Sequence, residues 1–477
     1  MKIRVNNKTK ETFMNIYYSI NANLITMLIS ILINLVLPKF LGLEEYSYWQ
    51  LYLFYSTYTG LLHFGWLDGI YLKIGGKNFE ELDKRSLGTQ YFCLLLFELF
   101  ISAIFIFTVL FGNITDSVDK KIVLLFTVIS ITVLISRTFV LYIFQATNQI
   151  KEYASYSKRD RYIFVLLMLL YVFTNGSDFK VIIFFDLFSK LIVVCFAIYK
   201  LRGIFFSKKN RFTSEKDEII DNIKVGSNLM LANVASMLLL GVIRFLIENN
   251  WNIETFGKVS FTLSISNMGL LFVSAVGVVM FPALRRINQK NLKNLYFNLR
   301  ELFVPVTYIL LLMYWPIKIV INAWLPAYSD SLFYMGILFP MIVYEGRMSL
   351  LVKTYINTLR LEKKMLISNI ASLILTIVLS VFSVYIFKDI ELTVLTIPIV
   401  LSFRCILTEY FISKYFKTRL SFKVVIELLL SIIFILLNLF ISSKGALLCY
   451  LILVITMIGF SSKKIIKSVH FFRKIMS

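Results

Sequence analysis

Histidine is almost missing: 477 residues carry two, His63 and His470. That excludes a zinc centre or a His-based catalytic centre, which need several imidazoles or a cysteine set close together. The four cysteines, Cys93, Cys195, Cys405 and Cys449, have no metal or redox spacing. All four fall in apolar runs and read as core residues. Long polar stretches are also absent. The longest, RGIFFSKKNRFTSEKDEIID at 202–221, has mixed charge and no glycine-rich phosphate loop. A folded catalytic domain needs ~50 residues or more. No enzyme domain outside the apolar runs, no catalytic residue, no metal and no cofactor are therefore expected.

What fills the chain is apolar. Hydrophobic residues make up 58% and the mean hydropathy is +0.77. Fourteen runs cover about 13–37, 46–70, 88–112, 122–147, 161–175, 180–201, 222–247, 256–281, 296–321, 331–358, 364–387, 391–413, 422–441 and 444–461. Most can cross ~30 Å of hydrocarbon as helices rising 1.5 Å per residue. With the N-terminus inside, the cytosolic stretches hold 34 Lys and Arg and the outer loops 6. This is the positive-inside pattern. It predicts an all-α polytopic membrane protein with 14 transmembrane helices and both termini cytosolic. The net charge of +22 is spread over every inner loop. It suits an anionic leaflet, so no nucleic-acid partner is expected.

The chain weakly repeats itself. NIYYSINANL at 15–24 is echoed by NIKVGSNLML at 222–231. LGLEEYSYW at 41–49 is echoed by NIETFGKVS at 252–260, and Gly-Leu-Leu follows at 60–62 and 269–271. Two six-helix lobes of parallel topology around a central cavity are predicted, with two appended helices. The expected boundaries are 1–205, 206–420 and 421–477.

Charge inside hydrocarbon marks function by default. Arg137, Arg244, Arg347 and Arg404 lie in four separate runs; of the first three, only Arg244 has an acid three or four residues away, Glu248. They are the candidate substrate-binding cations of a hydrated cavity, because a guanidinium stays ionised and grips phosphate with two parallel bonds. Asn222, Asn233 and Arg244 recur every eleven residues, as do Thr12, Asn23 and Asn34. Three helical turns are close to eleven residues, so each set shares one stripe. Asn23, Asn34, Asn233 and Gln145 form the candidate polar lining. Asp186 and Lys190 have the spacing of a self-neutralising pair. Tyr46, Tyr48, Trp49, Tyr52, Tyr55 and Tyr58 read as an interfacial aromatic belt, with stacking on sugar rings the sharper reading. Pro305 and Pro316 are expected kinks in the ninth run.

FGWLDGIYLKIGG at 64–76, the LG-x-E-x-Y turn at 41–46, YIFQATNQIKEYA at 142–154 and YINTLRLEKK at 355–364 occur in order along the chain. In these the sequence resembles the polysaccharide transporters of the multidrug/oligosaccharidyl-lipid/polysaccharide exporter superfamily, and more narrowly the Wzx-type repeat-unit flippases for O-antigen or capsule. The resemblance implies transport of an undecaprenyl-pyrophosphate-linked oligosaccharide across the bacterial cytoplasmic membrane by alternating access. It also implies a polysaccharide polymerase and glycosyltransferases as partners. The related lipid II flippases carry arginines in the first helix, and here run one has none. The alternatives are a lipid II flippase, a non-transport membrane enzyme or scaffold of polysaccharide assembly, and a drug/cation antiporter. The last would need an acid such as Asp68, Glu98 or Asp186.

Overall fold

The computed structural model describes residues 7–206, 216–285, 292–418 and 423–476, without the side chains at 7–20, 22, 23, 271–285, 357, 469 and 471–476. Asn23 and Thr12 of the expected polar stripe thus lie outside the described side chains. Every described regular element is a helix.

The first compact unit is Met1–Val234 and the second Ala235–Ser477. The first contains α1 (Asn7–Leu41), α2 (Leu43–Tyr58), α3 (Trp66–Ile74), α4 (Lys84–Phe111), α5 (Val118–Ala146), α6 (Ile150–Phe173), α7 (Phe179–Lys200) and α8 (Arg202–Phe205). It also takes the first half of α9 (Lys216–Asn250). The second continues with α10 (Ile253–Arg285), α11 (Leu292–Leu310), α12 (Tyr314–Trp324), α13 (Ser331–Leu338), α14 (Met341–Arg347), α15 (Lys353–Thr358), α16 (Glu362–Val381), α17 (Ile390–Tyr415), α18 (Lys423–Phe440) and α19 (Ser443–Met476).

Local chemistry sets the starts. Asp83 accepts from the amides of Arg85 and Ser86, Ser117 from Lys120, Asp178 from Lys180, and Asp389 from Glu391 and Leu392. Each places a short side-chain acceptor on amides that the helix leaves unpaired.

The class is the one expected, a polytopic all-α membrane protein. Ten described helices are long and apolar enough to cross a membrane, or eleven if the bent pair Ser331–Leu338 and Met341–Ile356 is one span. Phe100, Phe107, Phe111, Phe173 and Phe460 stand 62–92% exposed. So much exposed aromatic surface suits hydrocarbon rather than water. The runs at 46–70, 161–175 and 256–281 are not among these helices, for separate reasons. The first is broken between α2 and α3. In the second, α6 carries Lys151, Glu152, Lys158, Arg159, Asp160 and Arg161 in its first half. The third passes into residues whose side chains are not described.

The proline kinks are partly where expected. A 3-10 turn at Leu311–Met313 separates α11 from α12. Pro316 has no amide to offer the carbonyl four residues back, which lies in that turn. Pro305 sits inside α11 without a break. A bend of 43° separates Ser331–Leu338 from Met341–Ile356, where Pro340 stands.

Two expectations are corrected. The aromatic cluster of α2 is not an interfacial belt: Tyr46, Tyr48, Trp49 and Tyr52 are buried. Trp49 stacks on Phe164 of α6 at 5.6 Å and Tyr48 on Phe179 of α7 at 5.0 Å, because α2 is wrapped by α5 and α7. Of the cysteines, Cys405 is core, Cys93 is half-buried, and Cys195 and Cys449 are exposed.

Candidate functional site

In the first unit, five helices bring polar groups together. Arg137 of α5 donates from Nε to Asp160 Oδ2 of α6 at 2.9 Å and from Nη2 to the Ser157 carbonyl at 3.1 Å. The next residue of α6, Arg161, donates from Nη1 to Ser30 Oγ of α1 at 3.4 Å. In the same unit, Tyr52 of α2 donates to Asp186 Oδ2 of α7 at 2.9 Å, and Lys190 closes the i,i+4 pair with the same carboxylate. Asp186 and Lys190 cancel. Arg137, Arg161 and Asp160 do not: Arg137 takes the Asp160 carboxylate while the Arg161 guanidinium bonds the Ser30 hydroxyl, so the three carry one positive charge in excess. Arg161 is the residue that the sequence reading missed. It sat at the edge of the fifth run and was counted with the cytosolic loop, whereas α6 begins eleven residues before it.

In the second unit the charges cancel. Arg300 of α11 donates to Glu427 Oε1 at 2.8 Å and Oε2 at 3.0 Å, and from Nε to Glu409 Oε1 at 3.2 Å. Arg347 of α14 bonds Glu427 and lies 3.5 Å from Glu409 Oε2. Tyr296 adds a hydrogen bond to Glu409 Oε1 at 3.3 Å. The four charged side chains are at most 6% exposed. Two guanidiniums and two carboxylates thus form a neutral buried knot that joins α11, α14, α17 and α18. Arg404 of α17 donates to Glu345 of α14 at 3.2 Å. Arg347 and Arg404 therefore tie the same two helices in opposite directions.

The four candidate arginines consequently differ. Arg347, 1% exposed, is a core residue in this conformation. Arg137 and Arg404 have carboxylate partners on neighbouring helices. Arg244 of α9 donates to Ser260 Oγ at 3.0 Å and lies 5.2 Å from the Phe256 ring centroid. Of the polar lining, Asn34 donates to the Ser30 carbonyl at 2.9 Å and accepts from Tyr46 at 3.4 Å. Asn233 is exposed and Gln145 half-buried.

At one end of the first unit α3 and α9 meet backbone to backbone. Lys73 of α3 pairs with Glu218 of α9 at 2.7 Å, and Asn222 donates to Gln90 of α4 at 2.8 Å. Gly65, at φ +85°, caps α3 just before it crosses α9.

This helical architecture is shared with solved structures. The lipid II flippase MurJ in an inward closed conformation superposes with a TM-score of 0.68 at 14% identity, over 97% of this chain and all of that one. An inward-facing multidrug resistance MATE transporter of the MOP superfamily gives 0.59 at 14% identity, covering 83% of this chain and 96% of its own. A MOP superfamily transporter from Pyrococcus furiosus, described as having a binding pocket of reversed polarity, gives 0.51 at 14% identity, over 84% and 95%. At these identities the likeness is one of fold. No protein-family model and no curated protein matches the sequence.

Proposed function

We propose that this protein is a flippase that carries an undecaprenyl-pyrophosphate-linked oligosaccharide across the bacterial cytoplasmic membrane by alternating access. In this reading it has fourteen membrane helices in two six-helix lobes plus an appended pair, and both termini are cytosolic. The observation that carries the reading is the extent of the fold match. The flippase fold accounts for 97% of the chain, the MATE fold for 83%. The surplus of guanidinium over carboxylate at Arg137, Asp160 and Arg161 supports an anionic head group over a drug cation. Arg244, half-buried on α9 and donating to Ser260, is the second candidate ligand for the pyrophosphate. Arg347 and Arg404 would shape the second lobe through their ion pairs. An O-antigen or capsule role, with polymerase and glycosyltransferase partners, follows the sequence resemblance alone.

Proteoliposomes test the reading. Purified protein should flip a fluorescent pyrophosphoryl-lipid oligosaccharide and leave a dye cation untransported. Transport of the dye with no movement of the lipid would reverse the assignment to an antiporter. Movement of lipid II at the same rate as the oligosaccharide lipid would favour a cell-wall flippase.

A further inference from the structure

The second unit has a slot on its outer face between α11, α18 and α19, with a volume of about 380 Å³. Val304, Ile426, Leu430, Leu453 and Met457 make its walls, and Lys423 and Ser461 stand at one end. Ile426 is 43% and Phe460 92% exposed, so the slot faces lipid, not the core. Its depth follows from helix rise. From Lys423 to Leu430 along α18 is ~10 Å, and from Ser461 back to Leu453 along α19 is ~12 Å. Half the hydrocarbon thickness is ~15 Å. The slot thus starts at the basic end of these helices and stops within one leaflet.

Charge identifies the leaflet and the head group. The face of α19 that lines the slot carries Leu453, Met457 and Phe460, and Lys464 continues it one turn further. Lys463, Lys464 and Lys467 are all exposed. The neighbouring charges are neutralised: Lys423 by Glu301, Arg300 by Glu427 and Glu409. Three lysines therefore remain in excess where the slot opens. The same end of α19 is held in place by Ser468, which donates to Asn298 of α11 at 2.9 Å, so the lysines project from an anchored helix.

The geometry points to a binding site for an anionic glycerophospholipid of the inner leaflet, one acyl chain in the slot and the phosphate against Lys463 and Lys464. The depth argues against a polyprenyl chain, which is long enough to need a path through both leaflets. The positive rim argues against a zwitterionic head group. This site is independent of the transported substrate, and its test needs no transport.

Purified full-length protein in detergent is titrated with phosphatidylglycerol or phosphatidylcholine, and thermal unfolding and lipid retention by native mass spectrometry are read. Phosphatidylglycerol should raise the unfolding temperature and stay bound; phosphatidylcholine should do neither at the same concentration. The double variant Lys463→Gln/Lys464→Gln should weaken the response roughly thirtyfold, at about fivefold per lysine. Leu453→Trp, which fills the slot and leaves the charges alone, should abolish retention. Equal responses to the two lipids would overturn the proposal, as would full retention in both variants. Undecaprenyl phosphate displacing phosphatidylglycerol at equal or lower concentration would also overturn it and give the slot to a substrate tail.

Discussion

A Cβ on Gly69 would stand 1.9 Å from the carbonyl oxygen of Asn222, and one on Gly226 would stand 1.9 Å from that of Gly65. No side chain yields here, because both obstacles are backbone. Helices α3 and α9 therefore touch only while these positions are glycine. Gly69→Ala should force the pair apart and lose the Lys73–Glu218 and Asn222–Gln90 bonds with it. Overpacking of this kind costs ~1–3 kcal/mol. A short bismaleimide should join Lys73→Cys to Glu218→Cys in the parent background and fail with Gly69→Ala. Undiminished crosslinking would mean that the contact is not obligatory.

The buried knot predicts a sharp asymmetry between single and double variants. Glu427→Ala leaves Arg300 and Arg347 with Glu409 alone to share. Removing one partner of a buried pair costs ~3–5 kcal/mol. Arg347→Met with Glu427→Leu removes a charge of each sign and should recover much of that loss. Thermal unfolding of the four species in detergent gives the coupling directly. Additive losses would show that Arg347 and Glu427 act separately.

The polytopic all-α class was legible because bilayer thickness acts on composition, which needs no contact information. The apolar runs and the self-neutralised pair of Asp186 and Lys190 were readable for that reason. The partners of the arginines were not. Glu427 lies 80 residues from Arg347 and Glu345 lies 59 from Arg404, and no local spacing signals a pairing across helices. The α2 aromatics misled for the opposite reason. Six aromatic residues near a helix end look the same whether they face lipid head groups or, as Trp49 and Tyr52 do, the inside of a bundle.

Glu98 of α4 is 0% exposed, and neither carboxyl oxygen has a hydrogen-bond partner among the described residues. An ionised carboxylate in that position would be an uncompensated buried charge, so the neutral acid is the form this conformation accommodates. Glu98→Gln should keep the folded state within about 1 kcal/mol, since it replaces one neutral group by another. Glu98→Lys places a permanent charge near the helix centre and should cost ~3 kcal/mol. Unfolding in detergent separates the two variants. A Gln variant as unstable as the Lys variant would mean that Glu98 is ionised and held by a partner.

Arg137 is paired with Asp160 and the Arg161 guanidinium rests on the Ser30 hydroxyl, which predicts how function responds to charge and shape. A lysine keeps the positive charge and loses the planar fork. If the surplus guanidinium grips a pyrophosphate, Arg161→Ala should reduce lipid flipping by at least tenfold, while Arg161→Lys should retain a measurable fraction. Arg137→Ala should be worse for stability than for function taken alone, because it strips Asp160 of its 2.9 Å partner. The double variant Arg137→Ala/Asp160→Ala should restore expression without restoring transport. Arg244→Ala tests the second candidate under the same assay, with Arg347→Met/Glu427→Leu as the control that alters a buried neutral pair. Flipping rates at the parent level in both Arg161→Ala and Arg244→Ala, with insertion verified, would remove the cationic recognition step. An anionic cargo would then have to be recognised by its sugar or its tail.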